Sequence, residues 1–196
     1  GRENTAIPSG PDKMKDVRLL QLPDGIAVFS RPRDETVRQT FGSHAVIGFT
    51  KIANLEELTA DIIANADIIT DVFGQDEWGG CNQCYYLDSG LIGIIGHKSY
   101  SSSEDAETAD LVYVNVAWIF DPDKHKMLDE RILAVRSSYP DATPKRSRLA
   151  DCAFTSGISP AEGDQVWLYS GLGDAREGRI LIPDPFKAFG KVTKWV

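Results

Sequence analysis

Three times along this chain a short apolar run, a tight turn and a second apolar run follow one another, and that repetition limits what it can fold into. In the first unit Leu19–Leu22 and Ile26–Ser30 flank Pro23-Asp24-Gly25. In the second, Cys84–Leu87 and Leu91–Ile95 flank Asp88-Ser89-Gly90. In the third, the segment KRSRLADCAFTSG is followed by a turn at 160–164 and a return over Gln165–Ser170. Glycine in such a turn supplies the positive φ that a tight hairpin needs. HAVIGFTKI and Leu111–Phe120 read as further strands, the latter built throughout from β-branched and aromatic residues, with Arg131–Arg136 able to pair back. Asp34–Ser43 and Ser99–Asp110 read as polar loops. The one helix candidate is Asn54–Val72, with Asn54 as cap and Glu57 at the capping-box position. Alternatively, Asn65 and Ile68-Ile69 break it into two short pieces. The expectation is an all-β protein of radially arranged antiparallel sheets. The units recur at roughly sixty to seventy residues, wider than the ~40–50 of common propeller repeats.

Each unit has the same order of chemistry. A polar residue precedes the turn at Asp16, Asn82 and Asp151, and a charged or glycine-rich exit follows at Arg31, His97 and Asp174. In an antiparallel hairpin the start of one strand lies beside the end of the next. Glu77 and Asn82 are therefore expected near His97 and Lys98, on the edge opposite the turn.

A net charge of −8 argues against a nucleic-acid partner, whose binding rests on a basic face. No apolar run reaches the ~18 residues that suggest a membrane span. Cys81, Cys84 and Cys152 cannot all pair, and no Asn-x-Ser/Thr sequon is present, which favours a reducing, cytoplasmic setting. Cys81-x-x-Cys84 has zinc-ligand spacing without a second pair, so no metal is expected. The glycine-rich exit GLGDA lacks the Lys-Ser/Thr of a phosphate loop.

MKDVRL, EWGGCN, GIIGHK, KRSRLADCAFTSG and YSGLGDAREGRILIPDPF together resemble the family known as domain of unknown function 1861, from about Gly10 to Phe186. That family is similar in turn to the five-bladed propellers of glycoside hydrolase families 43 and 130. KDVR resembles the Glu-Asp-Pro-Arg block of family 130, whose Asp is the catalytic acid, although Lys15 and Val17 replace its Glu and Pro. ADCAFTSG and YSGLGDA resemble that family's two late blocks. The resemblance implies one five-bladed propeller domain over residues 1–196, N-terminally incomplete, with about three to four blades present. It also implies a glycoside hydrolase or glycoside phosphorylase, with inorganic phosphate as co-substrate in the latter case and no other cofactor. A non-catalytic carbohydrate-binding or regulatory propeller is the alternative, and a protein-interaction scaffold a third. A carbohydrate is the expected ligand, and an open ring is expected to dimerise or to associate with the missing N-terminal part.

Glycoside cleavage needs a proton donor to the leaving oxygen. Asp16 is the candidate acid, with Arg18 on the same face of a regular strand; a structural ion pair is the other reading. Glu77 is the second catalytic candidate. Trp78 offers a ring face for a sugar, or it fills a blade interface. Asn82 binds a hydroxyl or stabilises a turn, and His97 and Lys98 bind phosphate or a carboxylate, or end a solvated strand. Lys145, Arg146, Asp151 and Asp174 complete the candidate substrate-binding set. His125 reads as a turn residue.

Overall fold

The computed structural model describes residues 11–103 and 109–195. Among these residues eleven strands form three antiparallel sheets. In the first, β1 (Met14–Leu22), β2 (Gly25–Pro32), β3 (Ile47–Ile52) and β4 (Asp67–Ile69) are hydrogen-bonded in chain order. The second is β5 (Trp78–Tyr86), β6 (Ile92–Ser101), β7 (Leu111–Asp121) and β8 (Lys126–Ala134), also in order. The third holds β9 (Ala153–Pro160), β10 (Gln165–Leu172) and β11 (Arg176–Pro183). The expected hairpins are β1–β2, β5–β6 and β9–β10, and each opens one sheet. Part of the expected 99–110 loop, residues 104–108, lies outside the described residues, as do residues 1–10.

The second sheet lies between the other two, and its sequence records that position. Strand alternation sends Ile92, Ile94, Val116, Trp118 and Phe120 to one face, where they meet Phe29 and Phe49 of the first sheet. The intervening Ile95, Ala117 and Ile119 face the other way, against Ile158, Val166 and Leu168 of the third sheet. A strand buried on both faces shows a continuous apolar run, as Ile92–Ile95 does. After β11 the chain crosses back to the second sheet. Phe186 is buried under Gly93 and beside Tyr85, Asp88 exchanges hydrogen bonds with Lys191, and the Thr193 N–H donates to the Tyr86 carbonyl.

Ser99–Ser101, expected as loop, extend β6, and the strand expected at Arg131–Arg136 starts earlier and ends at Ala134, before a 3-10 turn at Arg136–Ser138. Two segments differ more from expectation. A single helix over Asn54–Val72 does not form; the two-piece alternative is closer. A 3-10 turn at Leu55–Glu57 ends at Leu58, which is extended, and Thr59 then caps a new helix, α2 (Ala60–Ala64), by accepting from the Ile62 N–H. Beyond Asn65 the β-branched Ile68-Ile69 joins β3 as strand β4. The supposed loop Asp34–Ser43 holds a helix, α1 (Glu35–Phe41), capped by Asp34 at 2.9 Å from the Val37 N–H and closed by Gly42 in the left-handed region. Only Val37 of α1 is buried, so no apolar periodicity announced it.

Each sheet begins on a strand with the same irregularity. In β1 the pairing jumps from Lys15–Arg31 to Arg18–Phe29, in β5 from Cys81–Gly96 to Gln83–Ile95, and in β9 from Thr155–Ser170 to Gly157–Tyr169. Each jump is one extra residue, a β-bulge, and bulges re-aim side chains. Asp16, with φ of 51°, lies in the first, Asn82 is the second and Ser156 the third. By structure, then, the third counterpart of Asp16 and Asn82 is Ser156 rather than Asp151.

Candidate active site

The first strands of the first two sheets, β1 and β5, lie side by side, and their bulges project Asp16 and Asn82 towards the ends of β2 and β6. Five residues close a circuit there. Arg31 donates from Nη2 to Asp16 Oδ2 at 2.9 Å and from Nη1 to His97 Nε2 at 2.9 Å. His97 Nδ1 lies 2.8 Å from Asn82 Oδ1, the Asn82 carbonyl accepts from Arg18 Nε at 2.7 Å, and Arg18 Nη2 is 3.9 Å from Asp16 Oδ1.

Guanidinium has donors only, so the Arg31 contact fixes His97 Nε2 as an acceptor. The imidazole is therefore neutral, and its proton sits on Nδ1, donated to Asn82. Burial, with Arg31 and then Arg18 nearby, lowers the His97 pKa to about 3. Tyr113 and Phe154 pack on the ring at 5.9 and 4.6 Å between centroids. Arg31 can lie across β5 only because residue 80 is glycine: a Cβ there would be 2.7 Å from Arg31 Cδ. That accounts for one of the two glycines in EWGGCN.

Beside this circuit opens a cavity of about 860 Å³ whose walls include Lys15, Arg31, Arg33, Arg38, His44 and Arg148, with Trp78 and Tyr113 as its aromatic members. Among the described residues, no carboxylate lies within 4.0 Å of Lys15, Arg33, Arg38 or Arg148. Arg148 Nε is moreover buried and without a hydrogen-bond partner. Among the described residues, Asp76 is the one carboxylate in the lining, against Lys15, Arg31, Arg33, Arg38 and Arg148, so in a chain of net charge −8 this wall has the excess of cations that attracts anions. Trp78 stands edge-on to His44 and Tyr113, at 5.5 and 6.1 Å.

Of the residues expected from sequence, the structure brings Asp16, Arg18, Asn82 and His97 together and puts Trp78 on the adjoining cavity. Glu77 and Lys98 are placed elsewhere. Strand alternation sends Lys98 to the face opposite His97, where its ammonium bonds Glu77 at 3.2 Å and Glu130 at 3.1 Å. The Glu77 carboxylate also accepts from the Gly74 N–H, and Glu130 from the Trp118 indole, which makes this group a brace for the first core. Lys145 pairs with Asp174 at 2.7 Å, both well exposed, and Arg146 is exposed at the start of a 3-10 turn. Asp151 lines a second, open cavity of about 570 Å³ with Arg136 and Asp141. His125 does occupy a turn, and it has a partner, Asp67, at 2.8 Å. Arg33, Arg38, His44 and Tyr113 were not singled out in the sequence, Arg148 stood only within the block KRSRLADCAFTSG, and Arg31 was visible only as a strand exit. Cys81, Cys84 and Cys152 are buried free thiols, and burial pushes Cys81 upward. No helix among the described residues is long and apolar enough to cross a membrane.

Fold and cavity together define an antiparallel β-sheet protein with a cation-lined cavity beside an Asp–Arg–His–Asn circuit whose Arg31, Asn82 and His97 are buried. The chain belongs to the family described as protein of unknown function (DUF1861), which it matches over residues 2–188. It is similar to MPT-4, a mannose phosphorylase from Leishmania mexicana solved with phosphate ion, at 42% identity and a TM-score of 0.86, over 95% of this chain and 57% of that one. It is also similar to MPT-1, a GDP-Man-dependent mannosyltransferase from the same organism, at 35% identity and a TM-score of 0.82, over 95% and 56%. A β-1,2-mannobiose phosphorylase from Listeria innocua shares the fold at 17% identity and a TM-score of 0.60, over 89% and 45%. This chain thus spans little more than half the length of the Leishmania proteins it resembles. Comparison with curated proteins gave no match.

Proposed function

We propose that this chain carries the phosphate site and the acid of a glycoside phosphorylase that acts on mannosides, on a five-bladed propeller. The observation that carries the reading is the convergence of unpaired cations on one cavity beside Asp16. Likeness to a mannose phosphorylase solved with phosphate supports it. In this reading hydrogenphosphate enters among Lys15, Arg31 and Arg148, and the sugar stands between it and Asp16. A phosphate oxygen forms a bond to the anomeric carbon as the glycosidic C–O bond breaks. Asp16 gives its proton to the leaving oxygen, and the proton of hydrogenphosphate replaces it, so the products are a sugar 1-phosphate and a free hydroxyl. Trp78 and Tyr113 supply apolar ring surface for the sugar.

The test uses the full chain with mannose 1-phosphate and mannose, following phosphate release, and in the other direction manno-oligosaccharide with phosphate. Asp16→Asn is expected to lower kcat by about 10²- to 10⁴-fold, the usual contribution of a positioned acid. Arg148→Ala is expected to raise the KM for phosphate with a smaller change in kcat. Binding of manno-oligosaccharide with no turnover in either direction would instead support a non-catalytic carbohydrate-binding propeller.

A further inference from the structure

We propose that His97 is a positioning residue: a permanently neutral imidazole whose Nε2 lone pair aims Arg31 and, through Arg31, holds the Asp16 carboxylate beside the cavity. The inference rests on the reading of Asp16 as the acid. It begins from how Arg31 is held. The guanidinium forks, one Nη to Asp16 and the other to His97, both at 2.9 Å, while its Nε is buried without a partner. Two contacts therefore decide where the fork points, and one of them is an imidazole nitrogen. Asp16 alone would accept both Nη atoms side by side, the usual pairing of guanidinium with carboxylate. His97 draws one Nη away and leaves the second Asp16 oxygen to the distant Arg18 at 3.9 Å.

His97 is itself held on every side. Asn82 fixes its tautomer from the β5 bulge, and Arg18 of β1 anchors the Asn82 carbonyl. Among the described residues, the charged or titratable groups around this region are Arg18 and Asp16 from β1, Arg31 from β2 with Arg33 just beyond its end, Cys81 from β5 and Tyr113 from β7; Phe154 of β9 adds only an apolar ring. A second proton on the ring would meet the Arg31 guanidinium at 2.9 Å, so His97 cannot serve as an acid or base itself. Its work is geometric.

The two ring nitrogens can be replaced separately. Glutamine at 97 puts a carbonyl oxygen near the Nε2 position, whereas asparagine puts an amide near Nδ1 and leaves Arg31 without its acceptor. Phenylalanine keeps the packing and removes both. Three variants of the full chain, His97→Gln, His97→Asn and His97→Phe, are compared for phosphate release from mannose 1-phosphate with mannose. Positioning through Arg31 predicts that His97→Gln keeps kcat within about threefold. His97→Asn and His97→Phe lose about 10- to 100-fold in kcat, with the KM for mannose little changed. If His97→Phe equals or exceeds His97→Gln, the ring is packing only and the inference is wrong. Should His97→Phe fail to fold, the comparison of Gln with Asn still decides. Nitrogen-15 chemical shifts of the His97 ring supply a readout independent of turnover. A neutral Nδ1–H form unchanged from pH 5 to 8 is expected, and titration within that range overturns the inference. An inactive wild-type protein with that ring signature would fault the phosphorylase reading and leave the His97–Arg31 geometry standing.

Discussion

Because His97 stays neutral in the folded protein, its share of stability depends on pH. An imidazole in the unfolded chain takes up a proton near pH 6.5, whereas His97 in place does so only near 3. Between those values the unfolded state binds more protons, so stability rises with pH. The contribution is complete above pH 6.5 and is lost progressively as pH falls towards 3. At pH 5 the loss is about 2 kcal/mol, at 1.36 kcal/mol per pH unit. Urea unfolding at pH 7 and pH 5 is expected to show that loss in the wild type and a loss smaller by about 2 kcal/mol in His97→Gln, with His44 and His125 common to both. Asp16, Asn82 and His97 were legible in the sequence because hairpin ends are close in any antiparallel pair. Arg148 was not. Lys145 and Arg146 drew notice as a charged pair, but the 3-10 turn Ser147–Leu149 is what brings the third cation to the cavity, and nothing in the sequence marked that turn. Lys98 was grouped with His97 by adjacency, although neighbours on a strand face opposite ways.

Between elements, the packing of first strands depends on residues that give up side-chain volume. Gly80→Ala is expected to displace Arg31 by steric contact and to lower turnover at least tenfold, with a stability cost of about 1–3 kcal/mol, readable together from kinetics and thermal melts. The second and third sheets are joined differently, by a buried polar group. Asn115 donates to the Ala153 carbonyl and to Thr155, accepts from the Tyr139 hydroxyl, and Thr155 donates in turn to the Gly96 carbonyl. Asn115→Leu should cost about 2–4 kcal/mol in chemical denaturation, since it leaves several buried partners unmade. The three opening hairpins and strands β3 and β7 were readable from periodicity and turn glycines, whereas β4 and β11 were not. The helices were less so: α1 shows one buried residue, and Asn54–Val72 carries enough apolar residues for one helix but breaks at Leu58, where the backbone becomes extended. Local caps decided those segments, and caps are weak signals beside a hydrophobic period.

Across the whole molecule the three sheets are coupled in series, with the central one contacting both others. Residues 184–195 fasten the third sheet to the second, and Phe186 is the residue that fills the gap above Gly93. Phe186→Ala is expected to cost about 3–5 kcal/mol. In hydrogen exchange it should speed β9–β11 more than β1–β4, and uniform acceleration would show that the sheets unfold as one unit. The three bulges have a different implication, for how this protein tolerates loss of sequence. Removing one residue from a strand ordinarily reverses the facing of everything beyond it. At Asn82 the arithmetic is inverted: the strand already carries one residue too many, so its deletion would restore an unbroken ladder from Trp78 to Tyr86 with every other pairing kept. A chain shortened there should fold with a more regular sheet and without the Asn82–His97 contact, and a lineage that dropped this residue would keep its architecture while losing the proposed centre.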